Sequence, residues 1–236
     1  ALEPEGITIS VGGEIGEVGK ENSNENELRA YLDNFNELLD REDKGARSIS
    51  KISIQTGTSH GGVPGPDGKV VEVNLDFECL ENLSRIARQD YGLAGAVQHG
   101  ASTLPSDLFN KFPELETAEI HLATDFQNMI YDHELFPKDF KEEIYVHLRK
   151  SFASEKKETD TDEQFIYKTR KKGFGVFKSK FWNLSDEIRI AIGDHLQKKV
   201  EHLFTQLKVE DTLEITKRTT PLVKVPPILA QEIASA

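Results

Sequence analysis

Three side chains that can bind a metal ion, Glu14, His60 and His99, each follow a segment predicted to be a β-strand. One carboxylate and two imidazoles form a common ligand set for zinc. Because the carboxyl ends of parallel strands meet at one edge of a sheet, the three side chains can converge on one ion. The sequence therefore predicts a zinc site in which Glu14 binds the ion or orients a ligand. A structural role for each strand-end histidine is the alternative.

Small residues surround these ligands. Gly61 and Gly100 directly follow the two histidines, Ala101 and Ser102 come next after Gly100, and Ala123-Thr124 follows a fourth predicted strand. Backbone N–H groups and hydroxyls at such positions can hold a phosphate, helped by the dipole of a following helix. The alternative is that these small residues only allow the chain to turn.

A fourfold alternation of strands and helices must position these residues. Alternating apolar and polar side chains predict four strands: Ile7–Val11, Lys51–Gln55, Ala94–Gln98 and Ala118–Leu122. Helical spacing predicts the intervening helices: Leu28–Leu39, Leu75–Tyr91 and a short one at Pro105–Phe112. Such βα units form a parallel sheet, and right-handed crossovers place the four strands side by side in chain order.

The pattern changes after about residue 135. Helices are predicted at Phe140–Phe152 and Leu184–Leu207, and a basic run with interleaved aromatic residues covers Lys168–Lys180. We interpret this run as a solvated arm anchored by its aromatic residues, with anion binding as the alternative. The chain is therefore divided into four βα units that bear the site (1–135), a helical C-terminal extension (136–215) and an extended tail (216–236).

The composition excludes several classes of function. The 236 residues carry a formal net charge of −12, which disfavours binding to nucleic acid or to an anionic membrane. The single cysteine, Cys79, excludes an intrachain disulfide and fits a reducing compartment, so a cytoplasmic protein is expected. No apolar run reaches the roughly 18 residues of a membrane span. The first residues contain neither an initiator methionine nor a signal-peptide pattern, so we expect a processed chain or part of a longer one.

Four segments resemble motifs of the class II, zinc-dependent fructose- and tagatose-bisphosphate aldolases. Ser10–Gly16 is similar to the strand-five pattern S-V-E-A-E-L-G, and Gln55–Gly61 is similar to the strand-six pattern G-T-x-H-G. Val97–Ser102 is similar to the strand-seven pattern H-G-A-S, and Glu119–Asp125 is similar to the strand-eight pattern K-x-N-x-A/D-T-D/E. The four segments occur in the family's order, with family-like spacing, over about residues 5–135.

The resemblance implies an α/β fold, namely the C-terminal part (strands five to eight) of a TIM-type (β/α)8 barrel with a helical C-terminal extension. It implies a Zn2+ site of Glu14, His60 and His99, where zinc acts as a Lewis acid on the ketose carbonyl. The implied reaction is reversible cleavage of a ketose bisphosphate to dihydroxyacetone phosphate and an aldehyde. The residues that would bind this sugar-phosphate substrate are Gly61, Gly100, Ala101, Ser102, His121, Ala123 and Thr124.

Three departures from the family pattern bear on activity. The family's first four strands are absent, which implies a partner, the N-terminal half of the barrel, in the same or a separate chain. Glu21 and Asn22 fall where the family has the acid of a mobile loop, so Gly19–Glu27 is expected to be mobile and its proton transfer altered. His121 replaces the family's strand-eight asparagine, where it is a candidate catalytic residue and a substitute metal ligand.

Three functions remain open from the sequence. The first is an aldolase, with the helix at Leu184–Leu207 resembling the family's C-terminal arm, which packs in a homodimer. The second is a catalytically altered relative that binds metal or sugar phosphate without aldolase turnover. The third sets the resemblance aside and is an α/β domain whose acidic surface binds protein partners.

Overall fold

A computed structural model of the chain describes residues 9–16, 21–57, 63–65, 70–71 and 75–222. Its strands are β1 (Gly12–Glu14), β2 (Lys51–Ile54), β3 (Val63–Pro64), β4 (Val70–Val71), β5 (Ala96–Gln98) and β6 (Glu119–Ile120). Four of them form a parallel sheet in the order β1-β2-β5-β6, while β3 and β4 form a short antiparallel pair. The predicted order and parallel direction of the four main strands are therefore confirmed.

Helices follow the strands in the first half of the chain and make up most of its second half. Those before residue 135 are α1 (Glu25–Glu42), α2 (Phe77–Gln89), α3 (Lys111–Glu114) and α4 (Thr124–Tyr131). Those after it are α5 (Lys138–Ser151), α6 (Asp162–Thr169), α7 (Gly173–Val176), α8 (Lys178–Trp182), α9 (Asp186–Gln206) and α10 (Leu213–Thr219). Within the described residues, no helix has both the length and the apolar composition needed to cross a bilayer.

The two faces of the sheet differ in polarity because side chains alternate along each strand. Ile52 and Ile54 of β2 are buried on one face, in a core cluster that includes Leu28 of α1 and Leu80 of α2. Ser53, between them in the sequence, hydrogen-bonds with the histidine that follows β5. Helices α1 and α2 therefore cover an apolar face, and the opposite face presents polar groups.

The first strand begins later than predicted. The expected strand at Ile7–Val11 is wrong in its bounds, since β1 starts at Gly12; Ile7 and Thr8 lie outside the described residues. The Val11 N–H donates to the Ser50 hydroxyl (2.9 Å), and the Ser50 N–H donates to the Val11 carbonyl (2.8 Å). A side-chain hydroxyl thus takes the place of one backbone acceptor, and regular pairing starts one residue later.

Capping side chains fix where α1 and α2 begin. Asn24 and Glu27 form a reciprocal capping box, so α1 begins inside the segment predicted to be a mobile polar loop. The loop prediction is therefore wrong for the residues from Glu25 onward. Asp76 caps α2 and accepts a hydrogen bond from the Cys79 N–H at 2.9 Å.

A second core cluster forms between the helices of the C-terminal part. Tyr131 of α4, Ile144 and Leu148 of α5 and Phe165 of α6 are buried in it. Helix α9 joins the two clusters, because Ile192 near its start packs in the second and Leu203 near its end packs in the first. This packing holds the helical region against the βα units.

The basic run Lys168–Lys180 is not a solvated arm. It is largely helical, and the side chain of Arg170 is only 9% exposed because it pairs with Asp132. Its aromatic residues do anchor it, since Phe174 and Phe177 pack against the second core cluster. The buried ion pair could not be anticipated from a run of basic residues, because its partner lies 38 positions earlier in the chain.

Candidate functional site

A cavity of about 380 Å³ lies at the carboxyl ends of β5 and β6. Nine of the residues that the structure describes line it: His99, Gly100, Ser102, His121, Leu122, Ala123, Thr124, Gln127 and Lys171. The first eight come from the segments that directly follow the two strands, and the last comes from the C-terminal helical region. The site is therefore assembled from two distant parts of the sequence.

His99 is held by partners on both ring nitrogens. Its Nδ1 lies 3.1 Å from Glu14 Oε1, and its Nε2 lies 3.3 Å from the Ser53 hydroxyl. Since a carboxylate only accepts, Glu14 selects the tautomer in which Nδ1 carries the hydrogen, leaving the lone pair on Nε2. A histidine that binds a metal through one nitrogen and donates to a carboxylate through the other has this arrangement. Glu14 is accordingly placed to orient His99.

His121 lies beside His99, and a chain of charged groups holds it. The two imidazole rings stack with their centroids 4.5 Å apart. His121 Nε2 hydrogen-bonds to Glu119, whose second carboxylate oxygen pairs with Lys51. These hydrogen bonds, from His121 first and Lys51 second, hold the pKa of the Glu119 carboxyl below its usual range. The tautomer with hydrogen on Nε2 leaves Nδ1 of His121 as a hydrogen-bond acceptor.

The small residues predicted to bind phosphate lie around the start of α4. Gly100 has a φ of 74°, a left-handed conformation that favours glycine. The Ser102 hydroxyl accepts a hydrogen bond from the Ala123 N–H at 3.0 Å and so ties the two strand-end loops together. Thr124 is the first residue of α4, where N–H groups have no partner within the helix. Ala101 is buried in the first core cluster and does not line the cavity.

Not every predicted site residue is brought to this cavity. His60 and Gly61 lie outside the described residues, so the expected proximity of His60 to His99 stays a prediction. Asn22 donates to Asp76 at 2.8 Å, and neither it nor Glu21 lines the cavity.

The described donor atoms fit part of a zinc site. Among the residues that the structure describes, no group of three or more His, Cys, Asp or Glu side chains is arranged to hold a metal ion. The Nε2 lone pair of His99, oriented by Glu14, is nevertheless the donor that zinc prefers. His99 therefore fits one ligand of a zinc site, and Glu14 fits the residue that orients this ligand.

Five contributors to the site were not singled out from the sequence: Lys51, Ser53, Glu119, Gln127 and Lys171. Ser53 and Lys51 alternate with buried isoleucines on β2, and this period of two is the signal that could have placed them on the polar face. Gln127 lies three residues after Thr124, on the same helix face. No local signal marks Lys171, which is one of several cations in a basic run.

Comparison with known proteins identifies a family. A family model described as fructose-bisphosphate aldolase class-II matches residues 5–180, which is more than half of the chain. No curated protein matches the chain significantly. The matched residues include the strands that carry the cavity and the segment that contributes Lys171.

Proposed function

Because the chain belongs to the class II fructose-bisphosphate aldolase family, we propose that it forms part of a zinc-dependent enzyme that reversibly cleaves a ketose bisphosphate. The products would be dihydroxyacetone phosphate and an aldehyde. The observation that carries this proposal is the imidazole of His99, oriented by Glu14 at the mouth of a cavity that can hold a sugar phosphate.

The metal would be held by the strand-end residues. His99 would bind through Nε2, His60 would supply a second imidazole, and Glu14 would fix the ring of His99 through Nδ1. Bound zinc supplies Lewis-acid polarisation of the substrate carbonyl. The Ser53 hydroxyl, 3.3 Å from the same Nε2, is the group that would turn away as the metal binds.

His121 would contact the substrate. Glu119 fixes its ring from the Nε2 side, so Nδ1 can accept a hydrogen bond from a substrate hydroxyl. Asn22 is hydrogen-bonded to Asp76 and does not line the cavity. His121 would therefore take a larger part in proton transfer than Glu21 or Asn22. Glu21 and Asn22 remain candidates for a step in which their loop moves and the hydrogen bond from Asn22 to Asp76 breaks.

The phosphate would bind at the start of α4. Thr124, at the first position of the helix, offers a hydroxyl and an N–H group, and Ser102, whose hydroxyl accepts from the neighbouring Ala123 N–H, lines the same cavity. The partial positive charge of a helix N-terminus favours an anion at this position. Gly100 and Ala123 line the same cavity and leave room for a phosphate to approach the backbone.

Other strands would complete the barrel. Among the described residues, β1 pairs only with β2, and β6 pairs only with β5, so the sheet has two open edges. Parallel sheets are normally closed or covered on both faces. The N-terminal half of the barrel, in the same or a separate chain, is the proposed partner at these edges.

The test is retro-aldol cleavage by the full-length protein, including any upstream residues that its gene encodes. Fructose and tagatose 1,6-bisphosphates are offered after chelation and again after Zn2+ is restored, and product is followed with glycerol-3-phosphate dehydrogenase and NADH. Zinc-restored activity supports the proposal. Bound zinc without turnover of either sugar contradicts it.

Three variants assign the activity to the cavity. His99→Ala should lower turnover by more than about 100-fold, and Glu14→Gln by about 10-fold to 100-fold, the usual range for an orienting partner of a metal ligand. His202→Ala is the matched control, since His202 is exposed on α9 and does not line the cavity. Equal activities of the His99 and His202 variants would refute the assigned site.

A further inference from the structure

Lys171 differs from most other cations of its segment, four of which pair with carboxylates, while Lys178 lies over the ring of Trp182. Lys168 pairs with Asp160, Arg170 with Asp132, Lys172 with Glu155 and Lys180 with Glu143. Among the described residues, Lys171 has no hydrogen-bond or ion-pair partner.

The cavity beside Lys171 suits an anion. Among the described residues, none of the nine that line it is Asp or Glu, so no described carboxylate lines the cavity opposite the ammonium group. Ser102, Thr124 and Gln127 offer hydroxyl and amide groups that can donate hydrogen bonds to oxygen atoms. A compact cation with neutral donors around it is complementary to a phosphate monoester.

Arg170 fixes the backbone from which Lys171 projects. Its two terminal nitrogens each bond to one oxygen of Asp132 at 3.0 Å, and one of them also bonds to Asn128 Oδ1 at 2.5 Å. Its guanidinium also stacks on Tyr131 and Tyr167, at 5.5 and 5.0 Å from the ring centroids. A pair of parallel hydrogen bonds fixes the orientation of the guanidinium as well as its distance from the carboxylate.

The same helix carries both the cavity wall and the Arg170 clamp. Thr124 and Gln127 at the start of α4 line the cavity, whereas Asn128 and Asp132 at its end hold Arg170. The Tyr131 hydroxyl of α4 also donates to the Arg170 carbonyl at 2.8 Å. Since a helix is rigid over two turns, the clamp sets where Lys171 stands relative to the start of α4.

We propose that Lys171 contacts a phosphate of the substrate and that Arg170, clamped by Asp132 and Asn128, is the positioning residue that holds it at the cavity. The inference rests on the proposed sugar-phosphate function and adds a residue that the C-terminal helical region supplies to the strand-end site. It gives that region a direct part in substrate binding.

The experiment measures binding of inorganic phosphate and of dihydroxyacetone phosphate to the full-length protein by calorimetry at fixed ionic strength. Lys171→Met should weaken both by about 10-fold, which corresponds to about 1.4 kcal/mol, because it removes a hydrogen bond from a charged donor to the phosphate. Lys172→Met is the matched control, as Lys172 is the next residue and pairs with Glu155 outside the cavity. The salt dependence of phosphate binding should also become shallower in the Lys171 variant alone.

A double-mutant cycle separates positioning from general stability. Arg170→Lys keeps the charge but loses the pair of parallel hydrogen bonds, so it should weaken phosphate binding several-fold in the wild-type background. In the Lys171→Met background the same substitution should have almost no further effect, because the residue through which it acts is gone. Arg149→Lys, which alters another Arg–Asp pair, controls for a loss of stability.

The outcomes are distinct. Unchanged phosphate binding in Lys171→Met, with normal binding by the wild type, overturns this inference and leaves the proposed function standing. Equal effects of Arg170→Lys in both backgrounds overturn the positioning role. A wild-type protein that binds neither phosphate nor dihydroxyacetone phosphate overturns the inference and the proposed function together.

Discussion

Replacement of Asp132 by alanine should destabilise the fold more than replacement of a carboxylate that pairs with an exposed cation. Arg170 is only 9% exposed, and Asp132 supplies both carboxylate oxygens to it. Without that carboxylate, the guanidinium keeps the Asn128 amide oxygen, the Tyr145 side chain and its two ring contacts, none of which carries a full negative charge. A largely buried charge would then lose its counter-ion, which is costly in a medium of low polarity.

The magnitude follows from the burial of the two partners. Breaking a fully buried ion pair costs about 3–5 kcal/mol. Asp132 is 53% exposed, so solvent screens part of the interaction, and we expect about 1.5–3 kcal/mol for Asp132→Ala. Asp162 is the matched control: it pairs with Arg149, both side chains are 41% exposed, and its removal should cost about 1 kcal/mol or less.

The effect should depend on pH in one direction. Burial alone would raise the pKa of Asp132, but hydrogen bonds and charge from Arg170 outweigh it and hold that pKa below its usual range. A lowered pKa in the folded state adds stability above the unfolded value, and that stability is lost as the pH falls through the folded value. The gap between wild type and Asp132→Ala should therefore be full at pH 7 and shrink below about pH 4.

The assay is urea unfolding followed by circular dichroism, at pH 7 and again at pH 3. A cost for Asp132→Ala no larger than that for Asp162→Ala would show that the burial argument is wrong. So would a gap that stays constant between the two pH values.

Three further predictions concern local features of the fold. Gly173→Ala should lower the unfolding free energy by about 1–3 kcal/mol, because the added carbon would lie 2.6 Å from the buried Tyr131 hydroxyl. Gly193→Ala, at a position in α9 with open space around it, should raise the unfolding free energy by about 0.5–1 kcal/mol. Asn24→Ala removes the capping box of α1 and should lower unfolding free energy by about 1 kcal/mol in the same denaturation assay; no change would mean that the cap is dispensable. Burial beside Asp76 raises the pKa of the Cys79 thiol to about 11, so Ellman's reagent should react far more slowly with folded protein than with urea-unfolded protein at pH 8.

The order of the sheet was predictable because it depends on local patterns. Alternation along each strand and helical spacing between strands can both be read from neighbouring residues, and the crossover rule then fixes the order. The start of β1 was not predictable in this way. It depends on the Ser50 hydroxyl, which occupies the N–H of Val11 from 39 residues away.

The candidate site was likewise predictable only where it depends on local sequence patterns. Strand-end position predicted that Glu14 and His99 would lie together, and they do, at 3.1 Å. The contact between Lys51 and Glu119 was not foreseeable, because β5 lies between their strands and only twist and register bring them together. The position of Lys171 was even harder to predict, because it depends on the ion pair between Arg170 and Asp132, which belong to two different helical segments.

Exposed apolar side chains just before β1 give the strongest physical support for a partner at the edges of the sheet. Ile9 and Val11, just before β1, are 48% and 52% exposed, although their alternating pattern is that of a strand with one covered face. Beyond them β1 has no second neighbour among the described residues, and an open strand edge invites pairing with another chain. Closing the barrel would cover both the apolar side chains and the edge, while the strand ends that carry His99 and His121 would stay open to substrate. The same closure would bring further ligands towards the Nε2 of His99, so the proposed partner and the proposed metal site depend on one structural event.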